Sequence, residues 1–254
     1  PAHSMPSGDR RVAELLMRAL ERAGHRVELA SSLRAYDGAG DAERQAALRE
    51  QGTALGSRMA QQWGDGPRNA RPDLWFTYHA YYKAPDWLGP AVSAALGIPY
   101  VIAEASYAPK RARGPWAIGH AASADTIGRA DLVICPSRDD IACLEPVVAA
   151  PERIMLLPPF LDASPFRQAA KTREAHRARL ASIHGLDESV PWIVIAAMMR
   201  PGDKLASYRV LAAVLAQQRD LPWRLVVAGD GPARAEVEAV LEPATAGRCR
   251  FLGE

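Results

Sequence analysis

Residues 97–137 read GIPYVIAEASYAPKRARGPWAIGHAASADTIGRADLVICPS, and their pattern decides the fold class. Gly97 stops one helical stretch, Tyr100 to Ala103 is a short unbroken apolar run, Trp116 to Arg129 is spaced as a helix, and Leu132 to Cys135 is a second apolar run. Two apolar runs of strand length joined by a helix imply parallel neighbours in a sheet covered on both faces. The alternation continues upstream. Val12, Leu15, Leu16, Ala19, Leu20 and Ala23 form an amphipathic stripe over Asp9 to Ala23, stopped by Gly24. Arg26 to Ala30 then reads as a strand, Ala42 to Trp63 as a long helix ahead of Gly64-Asp65-Gly66-Pro67, and Leu74 to Tyr78 as an aromatic-rich strand. Pro85 or Pro90 opens the helix that Gly97 ends. Downstream, Asp139 to Val148 is expected to be helical and Ile154 to Leu157 a strand.

Pro158, Pro159 and Pro165 interrupt this order, and a charged helix over Lys171 to His184 leads into a new apolar run, Trp192 to Ala197. Helix, strand and helix follow at Ala206 to Gln218, Leu225 to Ala228 and Ala233 to Leu241, with a last strand at Arg250 to Leu252. The expected architecture is α/β, with two doubly wound, Rossmann-like domains over residues 1–165 and 166–254. About three strands do not complete the second domain, and the first starts with a loop and helix at Pro1, so the chain is expected to be a fragment. A first strand and the C-terminal part would be missing.

Composition narrows the function. With 48% hydrophobic and 24% charged residues among 254, disordered and fibrous classes are excluded. Basic and acidic residues number 31 and 29, a net charge of +2, so no global basic field points to nucleic acid and any anion site must be local. Only Lys83, Lys110, Lys171 and Lys204 are lysines, an arginine-rich balance that suggests a bacterial genome rich in G and C. Cys135, Cys143 and Cys249 are odd in number and lack C-x-x-C spacing, which fits a reducing compartment and a cytoplasmic location. No apolar run reaches membrane-spanning length, and no charged-then-apolar leader opens the chain. The six histidines are scattered without i, i+4 pairs, so no metal site is expected.

In open α/β sheets ligands bind beyond the carboxyl ends of the strands, so the residues after each strand carry the chemistry. Ser7 and Gly8, within Pro6-Ser7-Gly8-Asp9, open the first helix, where small residues let backbone amides approach an anion; a plain N-cap at Ser7 is the alternative. Trp75, Phe76, Tyr78, Tyr81, Tyr82 and Trp87 crowd into one stretch with His79 and Lys83 between them. His79, Tyr81 and Tyr82 lie past the strand end, where rings and hydroxyls suit a sugar face as well as a packed core. The next strand ends at Glu104 and Ser106, a carboxylate and a hydroxyl able to handle a hydroxyl proton, followed by Lys110, Arg111 and Arg113. Those cations could hold a phosphate or form a solvated loop. Ser137 with Asp140 reads as a helix cap, which accounts for Asp139-Asp140 without a metal. In the second domain Arg200 and Lys204 flank a turn at a strand's carboxyl end, where two cations and helix amides would neutralise a diphosphate. Gly229-Asp230-Gly231-Pro232 follows the next strand, but Arg234 stands where a dinucleotide fingerprint needs its third glycine.

These residues resemble glycosyltransferases of the GT-B fold, and within them family 4. Arg200 and Lys204, the Gly229 to Pro232 turn and Phe251-Leu252-Gly253 are similar to the family's second domain. Gly24-His25-Arg26-Val27, Ala130 to Ile134 and Pro159-Phe160-Leu161-Asp162 resemble its first. The resemblance spans almost the whole chain. It implies a transferase that takes a nucleotide-diphosphate sugar as donor, mainly on the second domain, with Arg200, Lys204, Gly229, Gly231, Ser7 and Gly8 around the diphosphate. Transfer, with retention, would occur in a cleft without an essential metal or other cofactor. The acceptor, a saccharide or other hydroxyl compound, would meet His79, Tyr81, Tyr82, Lys110 and Arg111, with Glu104 and Ser106 as catalytic candidates. Peripheral membrane association is compatible with such an enzyme. This chain departs from the family by lacking a histidine at the Glu104 to Ser106 strand end and by Ser7-Gly8 in place of Gly-Gly. The alternatives are a GT-B sugar-nucleotide epimerase and a non-enzymatic two-domain sugar-binding protein.

Overall fold

A computed structural model describes residues 8–253. Within them the chain forms two compact units, one ending at Asp162 and the other beginning at Ala163. Ser7 lies outside the described residues.

The first unit runs α1 (Gly8–Arg22), α2 (Ala42–Asp65), β1 (Trp75–Ala80), α3 (Gly89–Leu96), β2 (Tyr100–Ala105), α4 (Ala117–Arg129), β3 (Leu132–Cys135), α5 (Arg138–Leu144) and β4 (Ile154–Leu156). Its strands form one parallel sheet in the order β1-β2-β3-β4. Local chemistry places the helix ends. The Asp41 carboxylate accepts the amides of Glu43 and Arg44 at the start of α2, Pro90 sits in the first turn of α3, and Gly97 closes α3 in the left-handed conformation. Ser137 caps α5 by accepting from the Asp140 amide. That helix stops at Leu144, short of the expected Val148, because Pro146 has no amide to continue the ladder. Side chains from both sheet faces bury Val92, Tyr100, Ile102, Ile127, Val133 and Leu144 to 1% exposure or less. Each such apolar side chain contributes about 1.5–3 kcal/mol. Gly52 and Gly56 let α2 approach Trp87 and Leu88, where a Cβ on Gly52 would lie 2.3 Å from Trp87.

The expected strand at Arg26 to Ala30 does not form: these residues have no regular structure, and Leu29 is exposed. A strand needs a ladder partner, and β1, an outer strand among the described residues, pairs only with β2.

The second unit runs α6 (Ser164–Lys171), α7 (Arg173–His184), β5 (Trp192–Ala196), α8 (Asp203–Ala216), β6 (Arg224–Ala228), α9 (Arg234–Thr245) and β7 (Cys249–Gly253). Its parallel sheet has the order β5-β6-β7. Met199, Leu225, Val227, Val237 and Leu241 are fully buried at its centre. The charged helix expected over Lys171 to His184 forms as α7, beginning at Arg173, and a further helix, α6, precedes it, ending at Lys171 with Pro165 in its first turn. Among the described residues no helix is long and apolar enough to cross a membrane.

Candidate functional site

At the carboxyl ends of β1 and β2, His79 and Glu104 both adopt left-handed backbone conformations, each with φ 61°. They occupy matching positions: Tyr78 pairs with Ala103 and Ala80 with Ala105, so both strands bend at the same level and stay in register. Two such residues in a row across a ladder store strain of about 1–3 kcal/mol each, and strain of this kind collects at functional sites. The bend groups several polar side chains. His79 Nδ1 lies 3.8 Å from the Asp9 carboxylate in the first turn of α1, and its ring stacks on Tyr81 at 4.8 Å. Burial, then the neighbouring Glu104 carboxylate, pushes the Tyr78 hydroxyl well above its ordinary range, so Tyr78 stays protonated and can donate to Glu104. Burial likewise raises Tyr81, with Tyr36 and Asp9 adding to it. Ser106 is exposed, and its amide donates to the Ala80 carbonyl at 3.0 Å, carrying the ladder past the bend. Gly8, the first residue of α1, is exposed beside Asp9.

A second group continues from Tyr81. The chain reverses over Tyr81 to Ala84, joined by paired backbone hydrogen bonds of 3.3 and 2.8 Å. Tyr81 meets Tyr82 edge-on at 5.6 Å, and Tyr82 meets Trp116 edge-on at 5.7 Å. Lys83 and Arg111 both lie over these two rings, the ammonium 5.2 Å and the guanidinium 4.9 Å from the Trp116 centroid. Lys110 is exposed in the short turn of Pro109–Arg111. Gly119 makes this arrangement possible, since a Cβ there would sit 2.1 Å from the Tyr82 carbonyl oxygen.

Buried Asp37 and Gln45 fix the group from behind. The Asp37 carboxylate accepts from the amides of Ala39, Gly40 and Asp41 and from Gln45 Nε2, while its own amide donates to Lys83 and its carbonyl accepts from Trp116 Nε1. Gln45 also donates to the Pro115 carbonyl at 2.7 Å and accepts from the Gly119 amide at 3.0 Å. Asp86 plays the matching part under β1, accepting from Trp75, Thr77 and Tyr100 side chains and from the Leu88 and Gly89 amides. Trp75 therefore belongs to the fold, whereas Tyr81 and Tyr82 lie at the strand ends. Sequence reasoning missed Asp37, Gln45 and Asp86. The signals were the Asp37-Gly38-Ala39-Gly40-Asp41 turn and the Asp86 ahead of a helix opened by Pro90.

In the second unit Arg200 is exposed on the turn between β5 and α8, which Gly202 makes with φ 81°, and Lys204 is exposed in the first turn of α8. Among the described residues neither pairs with a carboxylate; Arg200 contacts only the Met198 sulfur, at 3.2 Å. Gly229 and Gly231 have φ 140° and 150°, and Cβ atoms there would fall 2.0 Å from the Ala197 and 2.3 Å from the Met199 carbonyl oxygens. Their amides are already engaged, Gly229 donating to Gly253 and Gly231 to the Asp230 carboxylate. These glycines thus hold the two strand-end loops together, and their amides are not open to a ligand. Arg234 bridges Asp230 at 2.8 Å and Glu238 at 2.7 Å.

Among the described residues no group of three or more His, Cys, Asp or Glu could hold a metal ion. A groove of about 640 Å³ on the first unit is lined by Arg49, Asp86, Trp87, Ala91, Ile118 and Asp125 among others; it shares Asp86 with the network under β1 and contains none of the candidate catalytic or ligand-binding residues. The structure thus groups His79, Tyr81 and Glu104 with Gly8 nearby, groups Tyr82 with Arg111, and puts Arg200 and Lys204 on either side of the Gly202 turn.

Residues 6–165 match the protein family described as Glycosyltransferase Family 4. No curated protein matches the chain. Among solved structures, a glycosyltransferase from Rickettsia africae ESF-5 is similar with a TM-score of 0.59 at 11% identity, covering 94% of this chain and 57% of that one. Anabaena HepE in complex with UDP and glucose is similar at 0.52 and 16% identity, over 100% of this chain and 67% of that one. A UDP-GlcNAc 2-epimerase from Neisseria meningitidis bound to UDP-GlcNAc is similar at 0.51 and 12% identity, over 98% and 62%. The chain therefore spans 57 to 67% of the length of these three structures. At such identities the likeness establishes the fold, Rossmann-like α/β units of the GT-B type.

Proposed function

The chain belongs to glycosyltransferase family 4, and from that premise we propose that it moves a sugar from a nucleotide-diphosphate donor to a hydroxyl of an acceptor, with retention at the anomeric carbon. The observation that carries this reading is the pair Arg200 and Lys204, two exposed cations without acid partners that flank the turn from β5 into α8. An ammonium and a guanidinium beside a helix N-terminus stabilise the negative charge that develops on a departing diphosphate, so departure needs no metal. Gly229 and Gly231 serve the donor by shaping the loop against Met199, next to Arg200. The acceptor lies on the first unit, its ring against Tyr81 and Tyr82 and its reacting hydroxyl near Glu104. Glu104, beside the protonated Tyr78 hydroxyl, orients that hydroxyl or takes its proton.

Calorimetric titration with a panel of nucleotide-diphosphate sugars tests this. Arg200→Ala is expected to weaken donor binding by about 1.5–3 kcal/mol, roughly ten- to a hundredfold. Unchanged affinity would remove Arg200 from the site. The Asp9, His79 and Glu104 group also fits acid/base chemistry on a sugar carbon, as an epimerase would use. Incubation without acceptor separates the two, because only an epimerase converts the nucleotide sugar to an isomer.

A further inference from the structure

We propose that Lys83 and Arg111, on the rings of Tyr82 and Trp116, form an anion pocket that takes a phosphoryl group carried by the acceptor. The inference rests on the reading of the first unit as the acceptor side and adds the chemical class of what binds there. Both cations converge on the same pair of rings: Lys83 Nζ is 5.9 Å from Tyr82 and 5.2 Å from Trp116, and the Arg111 guanidinium 5.5 and 4.9 Å. Like charges gathered in one place repel unless a counter-charge joins them. Among the described residues no carboxylate pairs with Lys83, Lys110, Arg111 or Arg113. The ring faces supply only about 0.5–2 kcal/mol per cation and accept no hydrogen bond along the guanidinium plane. Arg111 Nε is moreover buried without any hydrogen-bond partner, an orphaned donor on a group built to grip oxygens as a fork.

The fold holds this arrangement rigidly. Asp37 anchors both ends of the pocket, through the Lys83 carbonyl at 2.7 Å and Trp116 Nε1 at 3.2 Å, and Gly119 lets α4 close against Tyr82. A phosphoryl group matches better than a carboxylate: it carries about −1.5 to −2 charge and three acceptor oxygens, enough to bridge an ammonium and a guanidinium at once. An edge-to-face aromatic pair beside it offers a platform for the apolar face of a sugar-like ring.

The test uses Arg200→Ala/Lys204→Ala as background, so that the proposed donor cations do not report. Glucose 6-phosphate and glucose form the soluble arm, titrated by calorimetry. Phosphatidylcholine vesicles with and without phosphatidic acid form the lipid arm, read by co-sedimentation. One phosphate-bearing probe is expected to bind and its neutral counterpart not, and the responding arm tells a soluble acceptor from a lipid headgroup. Lys83→Met and Arg111→Met keep the aliphatic stems packed on the rings and should each weaken that binding about tenfold or more, as loss of a charged hydrogen bond implies. Binding that survives both substitutions, absence of binding in both arms, or tighter binding of glucuronate than of glucose 6-phosphate would overturn the proposal. Failure of the transferase reading looks different: donor binding to the parent chain would be absent or insensitive to Arg200→Ala, while phosphate binding still depended on Lys83 and Arg111.

Discussion

Replacing Asp37 by Asn isolates the contribution of the buried anchor behind the acceptor side. Asp37 is 2% exposed, and its carboxylate accepts four hydrogen bonds, Oδ1 from Ala39 and Gly40 at 3.1 and 3.2 Å and Oδ2 from Asp41 and Gln45 at 2.9 Å each. Asparagine keeps the shape but turns one oxygen into a donor, so in either orientation two of the four bonds are lost and an NH₂ faces two N–H groups. A hydrogen bond to a charged group contributes about 1.5–3 kcal/mol, and bonds within one network do not add fully, so a loss of about 2–4 kcal/mol is expected. At about 2–4 °C per kcal/mol for a protein of this size, the melting midpoint of the first unit should fall by about 4–16 °C in scanning calorimetry. Donor affinity on the second unit should not change, while use of acceptor should fall, because Asp37 holds both Lys83 and Trp116. A midpoint within about 2 °C of the parent, the size of an ordinary surface substitution, would refute the idea that this network anchors the site.

Three further outcomes follow from local geometry. Gly231→Ala puts a Cβ 2.3 Å from the Met199 carbonyl at φ 150°, so it should destabilise the second unit by at least about 2 kcal/mol and weaken donor binding through neighbouring Arg200; a urea midpoint equal to the parent's would contradict this. Burial pushes the thiols of Cys135 and Cys249 up to about 11, whereas Cys143 is exposed, so a maleimide at neutral pH should label Cys143 first. Peptide mass spectrometry showing Cys135 labelled as fast in the folded protein would count against the packing described. The Gly231 amide, then Arg234, holds the Asp230 carboxyl below its ordinary range, so its support of the turn is present above the usual aspartate range and is lost as pH falls through its folded value. Asp230→Asn should therefore flatten the acid limb of the stability profile, and an unaltered limb would show that this carboxylate is not linked to folding.

The order of most elements and their parallel arrangement could be read from the amino acids alone, because unbroken apolar runs, helical stripes and Gly, Pro and Ser end signals act within a few residues of one another. Residues 97–137 show this, with Gly97 at a helix end, β2 and β3 on the two apolar runs and α4 between them. That Tyr82 and Arg200 follow strands, that Glu104 sits at the end of one and that Lys204 opens the helix after Arg200 was legible for the same reason. Features that depend on partners distant in the chain emerge only in the folded molecule. Arg26 to Ala30 has strand composition but no ladder partner, and His79 and Glu104 share a left-handed bend only because their strands pair in register. Asp37 gains its role by meeting Lys83 and Trp116, and Gly119 by meeting Tyr82. Short-range preferences are carried by the residues themselves, whereas pairing, burial of charge and shared hydrogen bonds exist only once remote segments have been brought into contact.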